Sequence, residues 1–106
     1  EYSMPKVMVV EDESVVAFDI IQELQSAGYE VAGHVVSGDE AIAQAKALQP
    51  ELILMDVKLQ GGIDGITAAE EIGKSLHIPI IFLTAHADEV TLQRAKITRP
   101  FGYIIK

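Results

Sequence analysis

The sequence contains no cysteine and no tryptophan, and only 6% of its 106 residues are aromatic. Without cysteine, the chain cannot form a disulfide framework, a thiolate zinc site or a thiol nucleophile. No apolar run approaches the length that spans a bilayer, and the first residues lack the layout of a signal peptide. These absences favour a soluble protein, and we expect a cytoplasmic location.

Basic residues are scarce as well. The formal net charge is −8, because 16 acidic residues outnumber 8 lysines and arginines. A domain with this charge repels phosphate backbones and anionic lipid, so we expect no nucleic-acid contact and no membrane contact. Metal ions and basic protein surfaces are the more favourable partners.

Hydrophobic residues, in contrast, make up 49% of the chain. A chain of this length and composition can bury one core but is too short for two domains. We therefore expect residues 1–106 to form a single domain.

Short apolar runs alternate with segments of helical periodicity. The predicted strands are Lys6–Val10, Val31–Val36, Leu52–Met55, Ile80–Leu83 and Phe101–Ile105. The predicted helices begin near Val15, after Ser37, at Ile66 and at Ala87, and end before Gly28, near Leu48, at Leu76 and at Ile97. Near-continuous apolar strands alternating with helices are typical of an α/β fold, in which helices cover both faces of a parallel sheet.

Three helix ends have their own sequence signals. Gly28 lies where a helix C-cap is expected. Ser37 with Glu40 three residues later has the spacing of a capping box, and Asp64 is placed to begin the third helix.

Ligands of such sheets bind beyond the carboxyl ends of the strands. The residues at those positions are Glu11, Asp12, Asp56, Thr84 and Lys106. If the first and third strands are neighbours, their carboxylates converge and suit a hard divalent cation such as Mg²⁺. The alternative is that Glu11, Asp12 and Glu13 only favour the N-terminus of the first helix.

The other two residues carry less information alone. The Thr84 hydroxyl is suited to donate to a bound oxyanion, but it can equally cap a loop, and Lys106 alone is a solvated charge. Together the five side chains supply what phosphoryl transfer requires, namely metal-binding acids, a nucleophile and donors to the phosphoryl oxygens.

Four stretches at these positions, VMVVEDE, LILMDVKLQGGIDG, IPIIFLTA and GYIIK, resemble the receiver domain of two-component response regulators. The resemblance covers nearly the whole chain, and the spacings of Asp12 to Asp56 and of Thr84 to Lys106 are typical of the family. It implies a doubly wound, five-stranded parallel sheet with the flavodoxin-like order 2-1-3-4-5.

The resemblance also implies a role for each site residue. Asp56 would accept a phosphoryl group from the phosphohistidine of a histidine kinase. Glu11, Asp12, Asp56 and the backbone carbonyl of Lys58 would hold Mg²⁺. Thr84 and Lys106 would contact phosphoryl oxygens, and Tyr103 would be the switch aromatic, with a partly buried strand tyrosine as the alternative.

Activation would then shift a surface formed by the fifth strand and the fourth helix, which a downstream output domain or partner protein would bind. Arg99 precedes the fifth strand, so Lys106 is the better match to the family's lysine. The sequence ends before the fifth helix of the family, and we expect an uncovered sheet face to lower stability, to favour a homodimer or to reflect a longer parent chain.

Several alternatives stay open. Lys58 and His86 flank the expected path of attacking water and are proposed to set the phosphate lifetime, or they are plain solvated side chains. His34 and His77 are interpreted as surface histidines. Rival functions are a Mg²⁺-dependent phosphatase, an interaction module that is never phosphorylated and a flavodoxin-like cofactor binder. Lys58 argues against the phosphatase, because such enzymes usually carry a second acid at this position. The acidic stretch after the first strand argues against the cofactor binder, because it would repel a phosphate.

Overall fold

The computed structural model describes residues 4–84 and 102–105, of which 84 and 102–105 are described through their backbone. Five strands lie in this part of the chain: β1 Lys6–Val10, β2 Glu30–Val35, β3 Leu52–Asp56, β4 Ile80–Thr84 and β5 Gly102–Ile105. The three helices described are α1 Ser14–Ser26, α2 Gly38–Leu48 and α3 Gly65–Gly73. The predicted helix Ala87–Ile97 lies outside the described residues.

The strands form one parallel sheet in the order β2-β1-β3-β4-β5, which confirms the predicted fold. Strands β1 and β3 are direct neighbours, and Val10 lies opposite Met55 at their carboxyl ends. The residues that follow β1 and end β3 therefore share one edge of the sheet.

Two apolar layers hold the helices to the sheet. The larger layer packs buried residues of α2 and α3, such as Ala45 and Ile72, against the strand residues Met8, Ile53 and Phe82. On the opposite face, Ile20, Ile21 and Leu24 of α1 pack over the strand residues Val7, Val9, Leu54 and Leu83. Helices on both faces confirm the doubly wound arrangement within the described chain.

The helix-end signals place the helices as expected. The Ser37 hydroxyl oxygen accepts from the Glu40 amide (3.2 Å), and a carboxylate oxygen of Asp64 accepts from the Thr67 amide (2.8 Å). The Ser37 hydroxyl in turn donates to the Glu40 carboxylate. In a standard capping box, this carboxylate would instead accept from the Ser37 backbone amide. Gly28 follows α1 with φ +94°, the left-handed conformation that glycine adopts without strain.

Helix α3 is shorter than the predicted span Ile66–Leu76. It begins at Gly65, directly after its cap, and ends at Gly73. The chain then continues in a hydrogen-bonded turn, in which the Leu76 amide still donates to the Ile72 carbonyl (3.0 Å). Apolar periodicity extends through this turn, which explains the longer predicted helix.

None of the helices in residues 4–84 is long and apolar enough to cross a membrane.

Candidate functional site

Three carboxylates meet beyond the carboxyl ends of β1 and β3. Glu11 and Asp12 directly follow β1, and Asp56 is the last residue of β3. Each offers one carboxylate oxygen, and these three atoms lie within 4.8 Å of one another. The structure thus brings together the three acids that follow or end the first and third predicted strands.

The three acids differ in burial. Glu11 is fully buried, Asp56 is 4% exposed and Asp12 is partly buried. No acidic residue lies in the first turn of α1, and Glu13, at the N-cap, makes no side-chain capping bond. Glu11 and Asp56 therefore lie buried at the edge of the sheet, before the first turn of α1.

Hydrogen bonds hold Glu11 from three directions. Its amide donates to the Val35 carbonyl (3.1 Å), which extends the pairing of β1 with β2 by one residue. Its carboxylate accepts from the Glu13 amide (3.2 Å), and its carbonyl contacts Nε2 of His34 (2.9 Å). The loop that carries Glu11 and Asp12 is thereby tied to the neighbouring strand.

Asp56 is held by the backbone on both sides of the following residue, Val57. The Val57 amide donates to the Leu83 carbonyl (3.0 Å), and the Val57 carbonyl accepts from the Gly65 amide (2.8 Å). The second bond brings the first residue of α3 against the end of β3. The position of Asp56 therefore depends on the start of α3 as well as on the sheet.

The donor set suits a hard divalent cation. Three carboxylates in a small buried volume repel one another, and a cation between them offsets that repulsion. Opposite oxygens around Mg²⁺ lie about 4.2 Å apart, since each Mg–O distance is about 2.0–2.1 Å. The three carboxylate oxygens, within 4.8 Å of one another, lie close enough for a single cation to contact all of them after side-chain adjustment. The residues fit Mg²⁺ with open positions left for water or phosphate oxygens.

Comparison with known proteins agrees with this arrangement. Residues 7–106 match the family model described as the response regulator receiver domain. The chain belongs to this family. Receiver domains are the signalling domains of two-component response regulators. This receiver domain has the expected sheet order and an acidic edge, which is the edge of the sheet that carries Glu11, Asp12 and Asp56.

Two sets of curated relatives are response regulators. This receiver domain is 36% identical over 101 residues to the transcriptional regulatory protein PdtaR of Mycobacterium tuberculosis. It is 38% identical over 103 residues to the response regulator protein VraR of Staphylococcus aureus. Both alignments cover 95% of this chain and 49% of the relative, so this receiver domain spans about half the length of these proteins.

Solved structures show the same fold. The signal receiver domain of a modulated diguanylate cyclase from Desulfovibrio desulfuricans has a TM-score of 0.92 at 39% identity, covering 98% of this chain and 82% of that one. The N-terminal domain of a response regulator/sensory box/GGDEF protein from Carboxydothermus hydrogenoformans has a TM-score of 0.85 at 32% identity. That alignment covers 94% of this chain and 80% of the other.

The remaining predicted site residues are placed less completely. Thr84 ends β4 and pairs with Ile105, one position beyond the pairing of Asp56 with Leu83, so its backbone lies at the same sheet edge as the acids. Tyr103 pairs with Phe82 in the neighbouring strand. Lys58 is exposed in the loop after β3. Lys106 and His86 lie outside the described residues.

Two residues contact the backbone of the acidic residues although no role at this site was predicted for either from the sequence. His34 is exposed, as the sequence predicts, but its ring also contacts the Glu11 carbonyl. Gly65 is packed so closely on Asp56 that a Cβ there would overlap the Asp56 carbonyl oxygen. The place of Gly65 directly after the capping residue Asp64 could have indicated a close contact at the start of α3. No feature of the sequence indicated the contact of His34.

Proposed function

We propose that Asp56 is the phosphoacceptor of this receiver domain. One observation carries the proposal: its buried carboxylate ends a central strand and lies with two further carboxylates in one cluster. Of the three acids, only Asp56 belongs to a strand: it ends β3, which pairs with β1 on one side and with β4 on the other. A carboxylate can act as a nucleophile that forms a covalent intermediate.

The proposed donor is the phosphohistidine of a histidine kinase. An oxygen of the Asp56 carboxylate forms a bond to phosphorus, while the bond from phosphorus to the imidazole nitrogen breaks and its electron pair returns to the histidine. Hydrolysis later replaces the Asp56 oxygen by water and releases inorganic phosphate. Membership of a response regulator family supports this pairing with a kinase.

Mg²⁺ is the proposed cofactor, held by Glu11, Asp12, Asp56 and the backbone carbonyl of Lys58. When bound, the ion supplies positive charge opposite the phosphoryl oxygens. Glu11 and Asp12 orient toward Asp56 because the β1 loop is fixed by its hydrogen bonds to β2 and to its own turn. The close packing of the three acids supports a shared cation.

Thr84 and Lys106 are the proposed contacts of the phosphoryl oxygens on the side of β4 and β5. The backbone position of Thr84, one register position beyond the pair of Asp56 and Leu83, supports its assignment. Lys106 directly follows Ile105, the last paired residue of β5, and this place in the sequence supports its assignment. The side chains of Lys58 and His86 are proposed to affect hydrolysis by flanking the path of water.

The proposed output is a change of a binding surface. Thr84 would move toward the phosphoryl oxygens, and Tyr103 on the adjacent strand would follow. Phosphorylation then favours one of two accessible conformations by its different contacts in each. A downstream output domain or a partner protein would bind the surface of β5 and the predicted helix Ala87–Ile97.

Several wider proposals follow from the same assignment. We propose that residues 1–106 belong to one receiver domain, that this domain can form a homodimer, and that the protein acts in the cytoplasm. We also propose that this domain contacts neither nucleic acid nor membranes, because its net charge of −8 repels phosphate groups.

The test is phosphorylation with a small-molecule phosphodonor, followed by intact-mass measurement. Wild type with Mg²⁺ should gain the mass of one phosphoryl group, and the adduct should be lost on standing at alkaline pH. Asp56→Asn should gain none, while the control Asp19→Asn, at an exposed position of α1, should behave as wild type. Folded wild type without any adduct would instead favour the interaction module that is never phosphorylated.

A further inference from the structure

His34 makes a specific contact with the acidic edge from the neighbouring strand. It lies on β2 opposite Val9, and its Nε2 atom is 2.9 Å from the carbonyl oxygen of Glu11. A carbonyl oxygen only accepts hydrogen bonds, so Nε2 carries the hydrogen and donates. The exposed imidazole is thus joined to a residue whose own side chain is fully buried.

This bond fixes a peptide plane that the site depends on. The carbonyl of Glu11 and the amide of Asp12 belong to one planar peptide group. A hydrogen bond that fixes the direction of the carbonyl therefore also fixes the direction of the N–Cα bond of Asp12. The Val35 carbonyl already holds the other backbone group of Glu11, its amide, at 3.1 Å. Consecutive residues of β2 therefore hold both backbone groups of Glu11 at the point where the chain leaves the sheet.

We propose that His34 is a positioning residue of the metal site, which acts through the peptide between Glu11 and Asp12 and touches neither metal nor phosphate. The inference rests on the proposed Mg²⁺ site. With the donor removed, the peptide plane gains freedom to rotate, and the Asp12 carboxylate leaves the cluster that it forms with Glu11 and Asp56. Hydrogen-bonded partners of ligand residues commonly change metal affinity by about 10–100-fold.

Two substitutions separate the ring from its hydrogen bond. His34→Phe keeps a ring on the exposed edge strand but removes the donor, whereas His34→Gln removes the ring and restores an N–H donor. His77→Phe is the matched control, because His77 is exposed and lies beyond α3, away from the acidic edge. If His34→Phe fails to fold, His34→Val removes the donor with a residue that favours strands.

The readout is the dissociation constant of Mg²⁺ measured by calorimetry, beside urea unfolding of the metal-free proteins. We expect His34→Phe to weaken Mg²⁺ binding about tenfold, His34→Gln to stay within about threefold of wild type and His77→Phe to bind as wild type. Wild-type affinity in folded His34→Phe would overturn the inference, even if its stability fell. Equal weakening in His34→Phe and His34→Gln would also overturn it.

A metal-free measurement tests the contact itself. At a pH where the imidazole is neutral, the NMR nitrogen shifts of His34 should show the hydrogen on Nε2. A hydrogen on Nδ1 would overturn the inference without affecting the proposed function. Absence of Mg²⁺ binding in wild type would overturn the proposed metal site instead, so the two failures are distinguishable.

Discussion

Gly65 lies directly against the backbone carbonyl group of Asp56. A Cβ atom at position 65 would overlap the Asp56 oxygen and lie 2.9 Å from both its carbonyl carbon and Cγ of Met55. Glycine at the start of α3 therefore allows the helix to approach the end of β3. The backbone that carries the proposed phosphoacceptor is positioned by this contact.

The first prediction concerns this glycine. Gly65→Ala should lower the free energy of unfolding by about 1–3 kcal/mol, because the added methyl group must displace backbone atoms. It should also slow phosphorylation of the folded protein, since Asp56 moves with its carbonyl. The measurements are urea unfolding and the rate of adduct formation.

Gly73, at the other end of α3, provides the control. Among the described residues, no atom outside its own stretch of helix lies within 4 Å of an added Cβ there, so Gly73→Ala should raise stability by about 0.5–1 kcal/mol through lower chain entropy in the unfolded state. Equal effects of the two substitutions would contradict the steric argument.

The second prediction concerns the cap of α3. Asp64→Ala should cost about 1 kcal/mol, because the Thr67 amide loses its acceptor, which lies at 2.8 Å. Asp64→Asn should stay close to wild type, because asparagine caps helices equally well. Unfolding in urea separates these outcomes, and a similar loss in both variants would assign the effect to the charge of Asp64 instead.

The third prediction concerns repulsion among the acids. Without Mg²⁺, Asp12→Asn should be more stable than wild type by about 1 kcal/mol, because one of three like charges is removed. With Mg²⁺ at a hundredfold excess over its dissociation constant, wild type should gain about 2.7 kcal/mol, and the variant should gain less.

Urea unfolding with and without Mg²⁺ checks both signs. The control is Asp19→Asn, which removes one exposed negative charge from α1 and should leave the Mg²⁺ gain unchanged. An Asp12→Asn protein that is stabilised by Mg²⁺ as strongly as wild type would remove Asp12 from the proposed metal site.

The fourth prediction compares two further close glycines. A Cβ on Gly38 would lie 2.6 Å from Cγ1 and 3.1 Å from the carbonyl oxygen of Ile63, in the loop that leads to Asp64. A Cβ on Gly33 would meet, within the described part of the chain, only the tip of Leu48, a side chain that is 36% exposed and can move aside.

Gly38→Ala should therefore cost about 1–3 kcal/mol, and Gly33→Ala clearly less. Combining Gly38→Ala with Ile63→Ala should recover part of the loss, since residues in contact couple by about 0.5–3 kcal/mol. Urea unfolding of the single and double variants gives this coupling, and strict additivity would show that Ile63 does not press on position 38.

The convergence of Glu11, Asp12 and Asp56 was predictable from strand ends, parallel pairing and the strand order that the family resemblance implies. Apolar runs mark where strands end, and parallel strands place their carboxyl ends at one edge of a sheet. That β1 and β3 are neighbours came from the family resemblance, since periodicity alone does not order strands. The convergence then followed without knowledge of any side-chain conformation.

The contact of His34 with Glu11 was not predictable in this way. It joins residues on neighbouring strands, and the register of β1 with β2 shifts between Val7 and Met8, which changes the partner of every later residue. The overlap at Gly65 likewise depends on the path of the loop after β3. Such features depend on register and loop geometry, which composition and periodicity do not contain.

The central claim is that phosphoryl transfer occurs at Asp56, and locating the modified residue tests it most directly. Wild type is treated with a small phosphodonor and Mg²⁺, the acyl phosphate is reduced with borohydride to a stable homoserine, and tandem mass spectrometry of the peptides finds the altered position. We predict homoserine at position 56 alone, and only when Mg²⁺ is present. Modification at Glu11, Asp12 or another acid, or none in folded protein, would contradict the account.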